Sequence, residues 1–408
     1  MSAPPTPASP AAHGLFNRGF VVMCLAAFLT FCNMAVFFAF GGYLRTLPVD
    51  PQWHGAIIGV FALVPLLLRP LVSPFFTPAN APRAMIWCSL GVAACLFLYN
   101  LAQGAASLLL VRVLHGAVYV LLMSANLAGI VGCINPQKSG QSFGYVAVIV
   151  LLPYAVIPPA MTWAGERLGG YLYQLNLTAL LMLLIPPLML LLKGGLVQGG
   201  AIPSARPSRS EIFSNLRDKR IQSLLGLALL LYTSFAALFF YVQGFAVSLG
   251  IANPGWFFTC STLTEILVRV VAGGLFDRGA KRLPLAGSLA LLVACFLGLN
   301  LVAGQAAFLG LGLLFGLALG VAMPMINALA FDLSTPRLRA YNSNLGMQMF
   351  QGGFFLGPLM GSPLLDWGGH RVLFLACAGL CAAALLLVPG LGRAGAKGLP
   401  AGPESPSI

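Results

Sequence analysis

Leu224–Val242 reads LLGLALLLYTSFAALFFYV, nineteen residues without a charge. A helix rises about 1.5 Å per residue, so this stretch alone nearly crosses the roughly 30 Å hydrocarbon core of a bilayer. The run is continuous from Leu224 to Tyr232, as is Leu380–Val388. Strands of a membrane barrel would alternate apolar and polar residues instead. Working outward, similar runs recur at roughly 19–44, 54–76, 84–102, 106–133, 140–163, 170–192, 221–249, 254–276, 283–303, 304–331, 340–364 and 370–390. Of the 408 residues, 59% are hydrophobic and 8% charged. A water-soluble domain carries about 25% charge. The expected fold is an all-α membrane protein with twelve transmembrane helices.

The charges set the topology. The net charge is +13, from 22 Lys and Arg against 9 Asp and Glu. Numbering the spans one to twelve, Arg45, Arg167 and Arg371 fall on one side. Arg69, Arg112 and Arg269 fall inside spans, and the remaining basic residues all fall on the other side. The positive-inside rule puts that side, both termini and the long central loop in the cytoplasm. Basic residues sorted by the membrane in this way do not read as a nucleic-acid surface. The nine cysteines lie within or at the ends of spans with no CxxC, which suits packing rather than a disulfide framework or a metal site. The first run is too long and aromatic for a cleaved leader, so it reads as a retained span.

The longest break, 193–220, holds Gly199-Gly200, Pro203, Pro207 and several basic residues, and reads as a cytoplasmic linker. It divides two six-helix halves, 19–192 and 221–390, flanked by tails 1–18 and 391–408 whose composition suits disorder. The halves echo each other at a shift of 200 residues: Arg69 with Arg269, Gly116 with Gly316, Pro136 with Pro336, Pro158 with Pro358, Gly169 with Gly369, and Glu166 with Asp366. Internal duplication of a helix bundle is a mark of secondary transporters, whose substrates bind where the repeats meet.

Between spans eight and nine stands Gly273-Gly274-Leu275-Phe276-Asp277-Arg278-Gly279-Ala280-Lys281-Arg282. It resembles the Gly-x-Leu-x-Asp-Arg-x-Gly-Arg-Lys loop of the major facilitator superfamily, with Ala280 in place of the second glycine. The first-half counterpart, Ser73–Arg83, departs from that pattern, with Thr77 at the acidic position. Span four carries Arg112, His115 and Gly116, which resemble the family's Arg-x-x-Gln-Gly signature with His115 where Gln is common. Span eleven carries Gly353, Gly357, Pro358 and Gly361, similar to an exporter pattern that the family places in span five. Span five itself has Pro158-Pro159 without those glycines, so in span eleven the stretch reads as a packing hinge.

The resemblance implies two six-helix bundles, the major facilitator fold, rocking about a midplane site. It also implies a conformational latch on the cytoplasmic face, for which Gly273, Asp277, Arg278, Lys281, Arg282, Arg69 and Arg269 are the candidates. Glu265 is the acidic residue nearest the middle of a span. It is either a proton-coupling carboxylate or half of an i,i+4 pair with Arg269. Arg69, whose counterpart position for the acid is Pro65, has Glu265 as a possible partner on another helix. Arg112 and His115 are further coupling candidates. Against that, an arginine near a span end can snorkel to the interface, and His115 suits hydrogen-bonded packing.

Spans one, four, seven and ten line the cavity in the family, which makes Asn33, Tyr119, Asn126, Tyr232, Gln243 and Asn327 the cavity candidates. Three span-borne arginines against one glutamate suggest an anionic or zwitterionic small organic substrate. No Gly-x-x-x-x-Gly-Lys-Ser/Thr loop is present, so the proton gradient is the expected driving force. The expectation is a monomeric secondary transporter of the bacterial inner membrane, resembling the drug and sugar efflux branch, with no cofactor, metal or nucleic-acid partner. Its substrate, protons and the lipid bilayer are its partners. Uptake by symport is the alternative direction. A non-transporting receptor or scaffold is the rival class, and a membrane enzyme is disfavoured by the scatter of its polar residues.

Overall fold

The computed structural model describes residues 17–134, 139–192, 208–276, 281–335 and 337–392. The tails, most of the linker, Asp277 and Arg278 of the motif loop, and both members of the Pro136/Pro336 repeat pair lie outside the described residues. Helices form everything of length. Ten stretches are long and apolar enough to cross a membrane, and one of them, Tyr341–Leu391, has 51 residues and serves as two. With Trp256–Phe276, which carries Glu265 and Arg269, the crossings among the described residues number twelve. This is a multi-pass membrane protein.

The long stretch turns back at Gly368 and Gly369, where Gly369 has φ 68. Span eleven, before the turn, rises alongside span seven (Lys219–Ser248): Gly353 abuts Tyr232, Gly357 abuts Ala236 and Gly361 abuts Tyr241. Span twelve, after it, descends the same helix: Phe374 meets Phe245, Ser234 donates to the Cys377 carbonyl, and Gly390 abuts Ser223. Glycines let the backbones of spans seven and eleven approach closely.

The repeat is written into the geometry. Gly169 (φ 106) and Gly369 (φ 68) are both in the left-handed region that favours glycine, each at the turn between the last two helices of its half. A Cβ on Gly116 of span four (Ala105–Cys133) would lie 2.8 Å from the Phe61 carbonyl oxygen of span two (His54–Val72). Gly316 of span ten (Gln305–Asp332) meets the Ser261 carbonyl of span eight (Trp256–Phe276) in the same way. Both members of each contact are therefore shifted by 200 residues.

The halves meet along two seams that the same shift relates. Gly55 at the start of span two lies against the Pro358 carbonyl of span eleven, 2.6 Å from where its Cβ would be. Gly255, beside the start of span eight, lies against Pro158 and Pro159 of span five (Ser139–Leu168). Among the described residues three hydrogen bonds cross between halves: Ser362 to the Pro51 carbonyl, Asn253 to that of Pro159, and Thr259 to that of Ala155. All lie toward the membrane face that carries loops 45–53 and 249–255, so the halves are sealed on that face.

On the opposite face a helix lies within the 193–220 segment. Ser208 and Glu211 form a reciprocal capping box that starts a helix, Arg209–Arg217. Asn215 on its inner side exchanges amide hydrogen bonds with Asn342 of span eleven (2.7 and 3.1 Å), and Asn342 also donates to Ser334. Glu211 adds an ion pair with Arg337 at 3.6 Å.

Candidate functional site

Two buried polar clusters sit within the bundle, one in each half. The first is built around span four. Arg112 is 1% exposed, so it does not snorkel. Its Nε donates to the Ile57 carbonyl (3.0 Å) and its Nη2 to that of Ile58 (2.6 Å), both in span two. Three rings enclose the guanidinium, Phe37, Phe40 and Phe61, at 4.6–4.9 Å. Phe37 and Phe40 arrive from span one (Arg18–Leu44), whose helix tightens into a 3₁₀ turn over Val36–Ala39 just where they project. Carbonyl dipoles and ring faces thus hold the cation without a carboxylate.

His115, one turn along, is fully buried between Asn33 Oδ1 (3.1 Å) and the Tyr99 hydroxyl (3.3 Å). Among the described residues, Asn33 Nδ2 and Arg112 Nη1 are buried without a hydrogen-bond partner. The sequence brought Arg112, His115 and Asn33 to notice, whereas Tyr99 joins them only in three dimensions.

The second cluster is Glu265 and Arg269 of span eight. Arg269 Nη2 donates to Glu265 Oε1 one turn back and lies 3.8 Å from the Met323 sulfur of span ten. Glu265 is 4% exposed. Gly320 of span ten admits it: a Cβ there would stand 3.2 Å from the Glu265 Cα. Tyr154 of span five, in the other half, and Tyr232 of span seven are both within electrostatic reach of Glu265.

Of the alternatives open for Glu265, the i,i+4 pair is formed, and Arg269 takes the carboxylate that Arg69 was a candidate to share. Arg69 is buried instead near the phenol of Tyr119, which packs on Phe61 at 5.3 Å. Asn126 is buried with Nδ2 lacking a partner, and Gln243, beside Gly42 of span one, has its Oε1 likewise unpartnered. Asn327 is exposed and borders a cavity of about 220 Å³ between spans seven, ten and eleven, with Asn342 and Met347. It does not join the Glu265 cluster.

Of the latch residues, Gly273 lies in the last turns of span eight. Lys281 makes an ion pair of 2.7 Å with Asp332 at the end of span ten, a partner the motif did not announce. Arg282 lies near Gly392 with one terminal nitrogen, Nη2, unpartnered. Gly55 and Gly255 also went unremarked in the sequence, although the 200-residue shift relates them.

This arrangement of two matched halves sealed on one face agrees with comparison to known proteins. A mutant of the nucleoside transporter NupG superposes with TM-score 0.76 at 15% identity, covering 92% of this chain and 100% of that one. The chain has the major facilitator fold. A bacterial homologue of the human lysosomal transporter Spinster, inward-facing and occupied, gives 0.64 at 14% identity over 91% and 93% of the two chains. The human organic anion transporter MFSD10 gives 0.60 at 18% over 91% and 99%. The sequence model described as Major Facilitator Superfamily matches residues 224–406, so the likeness reaches the sequence level in the second half and is carried by the fold in the first. No curated protein matches the chain.

Proposed function

We propose that this protein is a secondary transporter that moves a small organic molecule across the bacterial cytoplasmic membrane by alternating access, coupled to protons through Glu265. One observation carries the reading. The Glu265–Arg269 pair is buried on span eight, the helix that bonds to span five of the facing half through Thr259 and the Ala155 carbonyl. An ionisable pair inside a membrane is costly and is a functional candidate by default. In export, protonation of Glu265 and substrate binding exclude one another: a proton arriving from the periplasm breaks the pair with Arg269 and displaces the substrate, and release of that proton to the cytoplasm re-forms the pair and lets substrate load.

With the termini in the cytoplasm, the glycine seams face the periplasm and the molecule is inward-facing. The rocking motion parts Gly55 from Pro358 and Gly255 from Pro158 while the opposite face closes. Of the three span-borne arginines, Arg112 is taken by carbonyls and Arg269 by Glu265, which leaves Arg69 beside Tyr119 as the cation open to a substrate. This favours an anionic or zwitterionic solute, in line with the organic anions and nucleosides named for two structural neighbours. Export is the proposed direction because the sequence resembles the drug and sugar efflux branch of the family. Uptake is the alternative, and the sign of the driving gradient distinguishes them.

The test is flux in proteoliposomes under an imposed pH gradient, using solutes that stabilise the purified protein in a thermal-shift screen, with Glu265→Gln alongside. Gradient-driven flux that becomes gradient-independent in Glu265→Gln supports the proposal. Normal coupling in that variant removes Glu265 from the mechanism, and failure of every stabilising solute to move removes transport.

A further inference from the structure

The helix Arg209–Arg217 ends one residue before span seven begins at Lys219, so it sits at the membrane boundary on the face opposite the glycine seams. Its two sides differ in kind. The inner side holds Glu211 and Asn215, both engaged with the C-terminal half through Arg337 and Asn342. The outer side carries Arg209, Phe213, Leu216 and Arg217, which at spacings of four, seven and eight residues form one stripe. Phe213 is 58% exposed, and the Arg217 guanidinium lies over its ring at 4.2 Å. The adjoining edge repeats the device: Phe331 at the end of span ten is 51% exposed, with the Arg339 guanidinium 3.8 Å from its ring centre.

The acids at this edge are committed elsewhere. Glu211 caps its own helix, Asp218 pairs with Arg220, and Asp332 pairs with Lys281. What faces outward is aromatic rings beneath guanidinium groups. A ring that seats at the acyl boundary under a cation at headgroup level suits a helix lying in the plane of the interface.

We propose that the Arg209–Arg217 helix, with the Phe331/Arg339 edge, is a binding surface for anionic phospholipid headgroups of the leaflet on that face. The phosphates meet Arg209, Arg217 and Arg339 while Phe213 and Leu216 enter the acyl boundary. Basic residues next to a span attract anionic lipid over about a Debye length. Because the helix is tied to Asn342 and Arg337, bound lipid braces the end of span eleven.

The experiment places the full-length protein in nanodiscs of phosphatidylcholine with or without phosphatidylglycerol. The expected result is an apparent Tm a few degrees higher with the anionic lipid, with most of that gain lost in Arg209→Ser/Arg217→Ser. It should be kept in Arg18→Ser/Arg83→Ser, which removes two exposed basic residues from the same face. Phe213→Trp should add fluorescence, read as the difference from the wild-type protein with its five native tryptophans, that acyl-brominated lipid quenches. No gain in the wild-type protein, equal losses in the two double variants, or an unquenched tryptophan at 213 would each overturn the proposal. The tryptophan readout holds even if the arginine variant does not fold.

Discussion

Arg112 and the carbonyl oxygen of Ile58 are 2.6 Å apart, joining two spans of the first half through a cation and a backbone dipole. The Ile57 and Ile58 carbonyls stand between Gly55 and Gly59, both of which lie against span eleven. The guanidinium fork therefore fixes the segment of span two that meets the other half.

That placement predicts an order of tolerance. Arg112→Lys keeps the charge but cannot donate to two carbonyls at once, and should lower stability by about 2–4 kcal/mol. Arg112→Met fills similar space without leaving a buried charge, and should cost less. Thermal unfolding in detergent ranks the two. If lysine is the better tolerated, Arg112 acts by its charge and not by its fork.

At the seams, Gly55→Leu and Gly255→Leu each place a side chain against proline backbone. Overpacking of this kind costs about 1–3 kcal/mol, which here falls only on the state sealed on the 45–53 face. The equilibrium should move about 5- to 150-fold toward the opposite state. Ser362 is 5% exposed and bonded across the seam to Pro51. A cysteine in its place should therefore label faster, over the native-cysteine background, in the leucine variants. An unchanged rate would mean that the seams do not govern access.

Asn215 and Asn342 should behave as a unit. Losing either amide orphans the other, so Asn215→Ala and Asn342→Ala should each cost about 1–2 kcal/mol, and the double variant little more than one of them. Hydrogen exchange over Arg209–Arg217 reads the cycle, and additive losses would show that the pair is not coupled.

The linker helix should also respond to pH. Hydrogen bonds from Ser208 and the nearby Arg337 hold the Glu211 carboxyl below its ordinary value of 4.5. A lowered folded value means that the cap is fully in place above the ordinary pKa and is lost as pH falls through the folded one. Exchange protection at the start of this helix should therefore decline below about pH 4.5. Glu211→Gln should flatten the response, and a matching decline in that variant would assign the effect to another group.

The spans were legible because bilayer burial demands unbroken apolar length, a one-dimensional property. The 3₁₀ turn over Val36–Ala39 was not, because its visible role, bringing Phe37 and Phe40 to Arg112, is set from another helix. Ser208 and Glu211 stand at capping-box spacing, yet the helix they start is short and lies in a run read as linker by its basic and glycine content. Asn327 shows the limit for the site. A polar residue does not declare from sequence which neighbours it meets, and this one is exposed at a cavity it shares with Asn342 and Met347. Glu265 and Arg269 were legible as a pair because helical spacing fixes their encounter, but Tyr154 comes from the other half and no local pattern could announce it.

The turn at Gly368-Gly369 has a consequence for biosynthesis. Span seven is made early in the second half, yet the Ser234 hydroxyl gains the Cys377 carbonyl and the Phe245 ring gains Phe374 only after the chain has reversed. Until the final helix leaves the ribosome, the oldest helix of that half keeps one flank open to lipid. Assembly of the half is therefore completed from its last-made segment, and a nascent chain arrested before Gly368 presents membrane quality control with an unfinished edge.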